Sequence, residues 1–401
     1  MSSAAAPAHP APAWLAERLR AAGGAVPFRT YMQWALHDPE HGAYGSGRLQ
    51  VGPRGDFVTS PSLGPDFAAL LAPQIAQWLQ QQSADQALAL VEAGPGEGDL
   101  ALQLARELVA GWPELAARTT LVLIEPNAGM AERQRERLRE CPLPCRWKSF
   151  AELAAQPVCG VLLAHEVLDA LAVERIVWDG TLWRRQQVAL HEAPNAELSL
   201  RLEPGQPLAP QELAQLEPLG LLQPGSQRQP GWCTELHPEQ APWLQAAAAG
   251  LGSGVLLVID YAHEAWRYYA PQRSNGTLMA YRQQQASSDP LQEPGSWDLT
   301  AHLCLETLQQ AGESAGWQPI GQRRQGEALL ALGLAQRLHG LQQESGLGLE
   351  ALLARREALL RLVDPHGLGE FRWVAFQRST DESCDSALHH EALFLTDPPL
   401  A

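Results

Sequence analysis

The feature that most limits what this chain can become is the run Val91-Glu92-Ala93-Gly94-Pro95-Gly96-Glu97-Gly98-Asp99, which ends an apolar stretch and opens a helical pattern. Glycines at such a junction let the backbone turn sharply and approach a ligand closely, at the edge of a parallel sheet where α/β folds bind ligands. The surrounding text has the matching rhythm. Apolar runs Leu88 to Ala93, Thr120 to Glu125, Val158 to Ala164 and Val255 to Asp260 alternate with helical stretches, among them Asp99 to Ala110 and Ala128 to Glu140. Leu143 to Trp147 reads as a short further strand. This alternation predicts an α/β fold, a doubly wound Rossmann-like core.

Around that core, 1–26 reads as a disordered tail and 27–86 as an N-terminal helical and loop cap with a lid segment. The cap has a helix opening at Phe28, a Gly/Pro/Asp-crowded loop from His37 to Pro65, and a helix from Asp66 to Gln80. The ligand-binding core occupies 87–173. From 174 to 250 the pattern changes to short alternating stretches, a β-rich insertion; 251–380 returns to the core with a second insertion at 262–295, and 381–401 is a C-terminal tail. Within that last core segment a helix is expected from Asp298 to Ala311 and a closing strand from Phe371 to Gln377.

Composition removes several function classes. Lys148 is the only lysine and lacks the glycines of a P-loop, and nothing around it suggests the desolvated pocket of a Schiff-base amine. With 29 basic against 45 acidic side chains and a formal charge of −16, nucleic acid is not an expected partner. The six cysteines include no CxxC pair, and Cys141-Pro-Leu-Pro-Cys145 has no second ligand pair nearby, so no metal site is expected. No apolar run approaches the roughly 18 residues a membrane span needs. The Ala/Pro-rich start lacks a secretory core, so reduced thiols in the cytoplasm are the expectation.

The loop also says what it can hold. A dinucleotide fingerprint beginning at Gly94 and Gly96 would need glycine where Asp99 stands, and a carboxylate at that helix start repels pyrophosphate. With Glu92 ahead and Gly98 at the third glycine position, the pattern is E-x-G-x-G-x-G. It suits S-adenosyl-L-methionine, whose sulfonium and ammonium are cationic and which carries no phosphate. Glu125 ends the next strand, where a carboxylate can accept from both ribose hydroxyls.

Read together, Gly55-Asp56-Phe57-Val58-Thr59-Ser60-Pro61, the glycine loop, His165-Glu166-Val167-Leu168-Asp169-Ala170-Leu171, Ile259-Asp260-Tyr261, Gly276-Thr277-Leu278 and Pro294-Gly295 through His302 resemble the MidA family. That family comprises S-adenosylmethionine-dependent methyltransferases related to the mitochondrial complex I assembly-factor methyltransferase, which symmetrically dimethylates an arginine of a complex I subunit. The resemblance runs from about Phe28 to Phe376. It implies a protein-arginine methyltransferase acting on an NAD(P)H dehydrogenase subunit. The chain departs from the family pattern at Ser62 (glutamate expected), Gln284 (histidine), Cys304 (aspartate) and Ala172 (proline). Those departures motivate two alternatives, an assembly factor that keeps the fold and cofactor site with reduced turnover, and a small-molecule methyltransferase.

Methyl transfer to a guanidinium needs carboxylates that orient its fork and localise its charge. Glu166 and Asp169 follow a strand at the sheet's carboxyl edge, three apart. They read either as such a pair or as first-turn and capping residues of a helix, and the resemblance favours the first. His165 is either a proton shuttle or a hydrogen-bonded structural histidine. Four further residues are substrate or lid candidates: Asp56 in the Gly/Pro-rich loop, Asp260 closing its strand, and Asp298 and His302, expected one helical turn apart.

Overall fold

Alternating side chains sort the core strands into two faces. Leu88, Leu90, Leu121, Leu123, Val161, Leu163, Val255 and Leu257 enter one apolar core, while Ala89, Val91, Val122, Leu162, Leu256 and Val258 enter the other. Strands buried on both sides need cover on both sides, and helices supply it. Asp66–Gln80 and Asp99–Gly111 pack on the first face, Gln240–Gly250 and Leu305–Ser314 on the second. The computed structural model describes residues 9–49, 52, 55, 58–192, 197–222, 228–341, 343, 348–379 and 392–399.

The core strands are β1 (Leu88–Ala93), β2 (Thr119–Ile124), β3 (Cys145–Trp147), β4 (Val158–His165), β5 (Leu251–Asp260), β6 (Gln318–Arg324) and β7 (Arg372–Ser379). Their spatial order is β3-β2-β1-β4-β5-β7-β6. The first five run parallel, and β7 is antiparallel to both β5 and β6. The order reverses between β1 and β4, so the carboxyl ends of these two strands flank the crevice where such sheets bind ligands. Doubly wound α/β is therefore the fold, and β6 is a strand that the sequence pattern did not show.

A second, antiparallel sheet fills the first insertion. Glu174–Trp178, Trp183–Glu192, Leu198–Pro207 and Cys233–Leu236 form it, and Ala25–Pro27 and His9–Pro10 add to it from the other end of the chain. The segment 1–26 is thus no tail where it is described. Helix Ala13–Ala21 buries Leu15, Ala16 and Leu19, and its apolar stripe fixes it against the second sheet. Inside that region Arg175 reaches Glu235 (3.2 Å), Gln186 (2.9 Å) and Asn275 (2.7 Å), a buried guanidinium with its hydrogen-bonding fork filled.

Two other expectations change. The stretch expected as a helix from Asp298 begins instead with strand Asp298–Thr300, paired with Met279–Arg282, and the helix starts only at Leu305. Asp298 and Leu299 are both buried, and the Met279–Arg282 strand offers a partner that local periodicity cannot announce. In the C-terminal stretch read as a tail, Phe394 is fully buried, with Trp78 and Trp373 at ring distances of 6.2 and 5.7 Å. Among the described residues no helix is long and apolar enough to cross a membrane.

Candidate active site

A cavity of about 1110 Å³ opens at the switch point, bordered by the glycine loop, the end of β2 and the end of β4. Gly94, Gly96 and Gly98 adopt left-handed φ of 58°, 54° and 85°, and Gly94 and Gly96 bring bare backbone to the cavity wall. A Cβ on Gly94 would also lie 2.9 Å from Val167 of the opposite strand end. Glu125, directly after β2, accepts from the Asn127 N–H (2.8 Å) and the Gln134 amide (3.0 Å). Gln134 also donates to the Gly96 carbonyl (2.8 Å) and accepts from the Trp147 indole (3.0 Å), fastening three strand ends together.

Glu92 is buried at the end of β1, and its Oε2 has no hydrogen-bond partner among the described residues. Burial first, then the nearby Asp99 charge, push its carboxyl up to about 8 against the help of the Ala101 N–H. An orphaned acidic oxygen, a second carboxylate and an open glycine backbone suit a ligand that is cationic and carries a ribose. They fit S-adenosyl-L-methionine and would reject a pyrophosphate.

On the other side of the crevice the carboxyls crowd. Glu166 holds φ of 54°, with its N–H bonded to the Ile259 carbonyl at 2.9 Å and its side chain 8% exposed. A non-glycine residue in that conformation is strained, and such strain collects at functional sites. Its carboxyl lies well above the usual range because of burial, the charges of Asp169 and Asp260, and that of Asp298, with only the Ser60 N–H opposing. Burial raises Asp169 to about 7. Asp260 is raised further by burial and Asp169, although it accepts from the N–H groups of Leu168 (3.0 Å), Asp169 (3.2 Å) and Tyr261 (2.8 Å). The bonds from Leu168 and Asp169 make Asp260 the clamp that shapes the turn after β4. No described Arg or Lys forms an ion pair with Glu166, Asp169 or Asp260.

His165 borders the cavity beside Glu166, its ring 5.3 Å from Phe67 and 6.5 Å from Phe371. Burial lowers its pKa to about 3, which leaves a neutral imidazole of weak basicity. Asp298 is buried against the cluster, close to the Tyr44 hydroxyl. His302 stands behind it, stacked on Tyr261 at 5.5 Å and 3.0 Å from His263, and does not border the cavity. Asp298 and His302 are consequently not one helical turn apart. Asp56 lies outside the described residues. Of the departures from the family pattern, Ser62 and Ala172 border the cavity; Gln284 sits at an exposed hairpin tip with φ of 61°, and Cys304 is buried ahead of helix Leu305–Ser314. Three site residues escaped the sequence reading: Tyr44, Asn127 and Gln134. Only Asn127 left a local signal, as an N-cap that accepts from the Met130 N–H at 2.9 Å.

Known proteins share this architecture. A family model described as S-adenosyl-L-methionine-dependent methyltransferase matches residues 70–323, well over half of the chain. The mitochondrial protein arginine methyltransferase NDUFAF7 homolog of Drosophila melanogaster is 28% identical over 370 residues, covering 84% of this chain and 81% of that protein. Its Xenopus tropicalis counterpart is 26% identical over 347 residues, covering 80% and 75%. A structure of a COG1565 superfamily member from Burkholderia thailandensis, bound to S-adenosyl-homocysteine, superposes with a TM-score of 0.81 at 29% identity, covering 96% of this chain and 95% of the other. This chain therefore belongs to the MidA-like family of S-adenosyl-L-methionine-dependent methyltransferases.

Proposed function

We propose that the chain methylates a guanidinium nitrogen of an arginine in a protein substrate, with a subunit of a complex I-like NAD(P)H dehydrogenase as that substrate and the cytoplasm as the compartment. One observation carries the reading: Glu166, Asp169 and Asp260 converge beside the cofactor cradle, raised in pKa, with no described cation to balance them. A cluster of that kind is stabilised by an incoming cation. The names of the relatives, protein arginine methyltransferases, agree with a guanidinium as that cation.

Bound S-adenosyl-L-methionine supplies a methyl group on a cationic sulfur. The residues of the chain then have three tasks. Glu166, at the cavity wall, accepts hydrogen bonds from the guanidinium fork and localises its charge on one side, which frees a lone pair on the nitrogen to be methylated. Asp260 fixes the turn that aims Glu166 and Asp169. Asp169, titrating near neutrality, holds the proton that the nitrogen gives up as it gains a methyl group.

Incubating the protein with labelled cofactor and a lysate of its own source organism tests this. Labelling of a protein band is expected, slowed by about one to two orders of magnitude in Glu166→Gln, while cofactor affinity stays near wild type. Label confined to small molecules would favour the small-molecule alternative. An undetectable transfer by wild type, with Glu166→Gln and Asp169→Asn restoring dehydrogenase assembly in a deletion strain as fully as wild type, would leave an assembly factor.

A further inference from the structure

The loop 38–49 enters the site with a side chain that neither the glycine motif nor the acidic pair accounts for. Its turn is tied rigidly to the end of helix Phe28–His37: the N–H groups of Ala43, Tyr44 and Gly45 donate to the carbonyls of Ala35 (2.9 Å), Leu36 (2.8 Å) and Leu36 (3.0 Å). A Cβ on Gly45 would lie 2.0 Å from the Asp38 carbonyl, so the turn is closed down on the helix end. The Tyr44 ring stacks on His37 at 6.0 Å and borders the cavity, and its hydroxyl stands close to the Asp298, Asp169 and Glu166 carboxyls. Tyr44 therefore touches the acidic cluster from the cavity side.

The backbone of the same residue hangs on the cofactor cradle. The Asn127 amide donates to the carbonyls of Tyr44 and Gly45, both at 2.8 Å, while the Asn127 N–H is held by Glu125 at 2.8 Å. The result is a hydrogen-bonded strut from Glu125 through Asn127 to Tyr44, whose hydroxyl stands beside Asp298 at the other end of the cavity.

We infer that Tyr44 is a positioning residue that makes alignment of the acceptor depend on occupancy of the cofactor cradle. This rests on the acidic cluster being the acceptor site. A diol bound to Glu125 must share that carboxylate with the Asn127 N–H, and Asn127 passes the adjustment to the Tyr44 backbone. The phenol in turn moves against the Asp298, Asp169 and Glu166 carboxyls that it faces. Coupling of this kind needs a difference in contacts between the empty and filled states, and the shared Glu125 oxygen is where that difference arises.

Two variants and one spectroscopic readout test it. Asn127→Asp keeps the oxygen that caps helix Ala128–Arg137 but points a carboxylate, in place of an amide donor, at two carbonyls. Tyr44→Phe keeps the ring and removes the hydroxyl. In protein labelled with 3-fluorotyrosine, S-adenosyl-homocysteine should shift the Tyr44 fluorine resonance, assigned by its loss in Tyr44→Phe. The same ligand should leave that resonance in place in Asn127→Asp, although calorimetry shows it binding. With lysate protein as acceptor, Tyr44→Phe should lower kcat about tenfold and hold KM for S-adenosyl-L-methionine within about twofold. An unmoved wild-type resonance, or an equal shift in Asn127→Asp, overturns the inference. So does wild-type kcat in Tyr44→Phe where Glu166→Gln is slow. Wild-type kcat in both variants would instead bring down the acceptor reading on which it rests.

Discussion

At the glycine-loop end of the cavity, Glu125 is held by an N–H and an amide, and Gln134 ties the loop to two neighbouring strand ends. Across the switch point, Glu166, Asp169 and Asp260 face one another with no described cation between them. The first arrangement is set by backbone conformation and internal hydrogen bonds, with the Glu125 oxygen held by the Asn127 N–H as the one contact a bound diol must share. The second is an unbalanced charge distribution that an acceptor completes. The second sheet shows what completion looks like: Arg175 and Glu235 are as deeply buried, yet each donor and acceptor there has a partner. A protein that can bury a guanidinium so fully among its own groups has left the cluster beside the cofactor without one.

The contrast can be broken at its strongest point first. Gly96→Val places a β-branched residue at φ of 54° on the cavity wall. Calorimetry with S-adenosyl-homocysteine should find its affinity down about a hundredfold, roughly 3 kcal/mol. Unchanged affinity would show that backbone shape does not govern this end. The cluster predicts the opposite behaviour, a gain on removing a charge. The folded Asp169 carboxyl titrates near 7 against an ordinary value of about 4, so the folded protein binds a proton that the unfolded chain releases. Its contribution to stability is then present below pH about 4 and lost as the pH rises through about 7. Asp169→Asn should be more stable than wild type by roughly 1–3 kcal/mol at pH 8, with the difference shrinking toward pH 4, as read by denaturant titration. A variant less stable than wild type at pH 8 would mean that the cluster is balanced by groups not yet recognised. The smallest effect sharpens the cradle. Gln134→Met leaves a Glu125 oxygen and the Trp147 indole without their partners, and cofactor affinity should fall about fivefold, roughly 1 kcal/mol.

Those ends differ equally in how far the sequence foretold them. The cradle is local: Glu92, Gly94, Gly96 and Gly98 sit within one strand–loop–helix unit, and Glu125 falls at the same level on the adjacent strand, so motif and alternation place them together. Six of the seven core strands were legible for the same reason, with short Cys145–Trp147 the faintest. Strand β6, with the exposed, glycine-broken text of Gln318–Arg324, offered no apolar run to read. The cluster is assembled from a strand end, a neighbouring strand end, an insertion and the N-terminal loop. Asp298 looked helical because its own neighbours permit a helix, and only its pairing with Tyr281 makes it a strand. Tyr44 had no periodic companion at all, and its role exists only once Asn127 and Asp298 stand on either side of it.

The third apolar core joins Leu15, Tyr31 and Leu36 to Val188 and Leu200, and then to Leu278, Trp297 and Leu299. A chain emerging from the ribosome in order would carry its first helices for more than two hundred residues of synthesis before their last partners appear. Contacts of such separation form slowly, because a long loop must be closed before any of them is gained. The residues of the cofactor cradle lie close together in sequence, whereas the acceptor end is finished only when the Asp298 strand arrives. The acceptor half is the last part of the site to be translated, because its Asp298 strand follows every residue of the cofactor cradle in the chain.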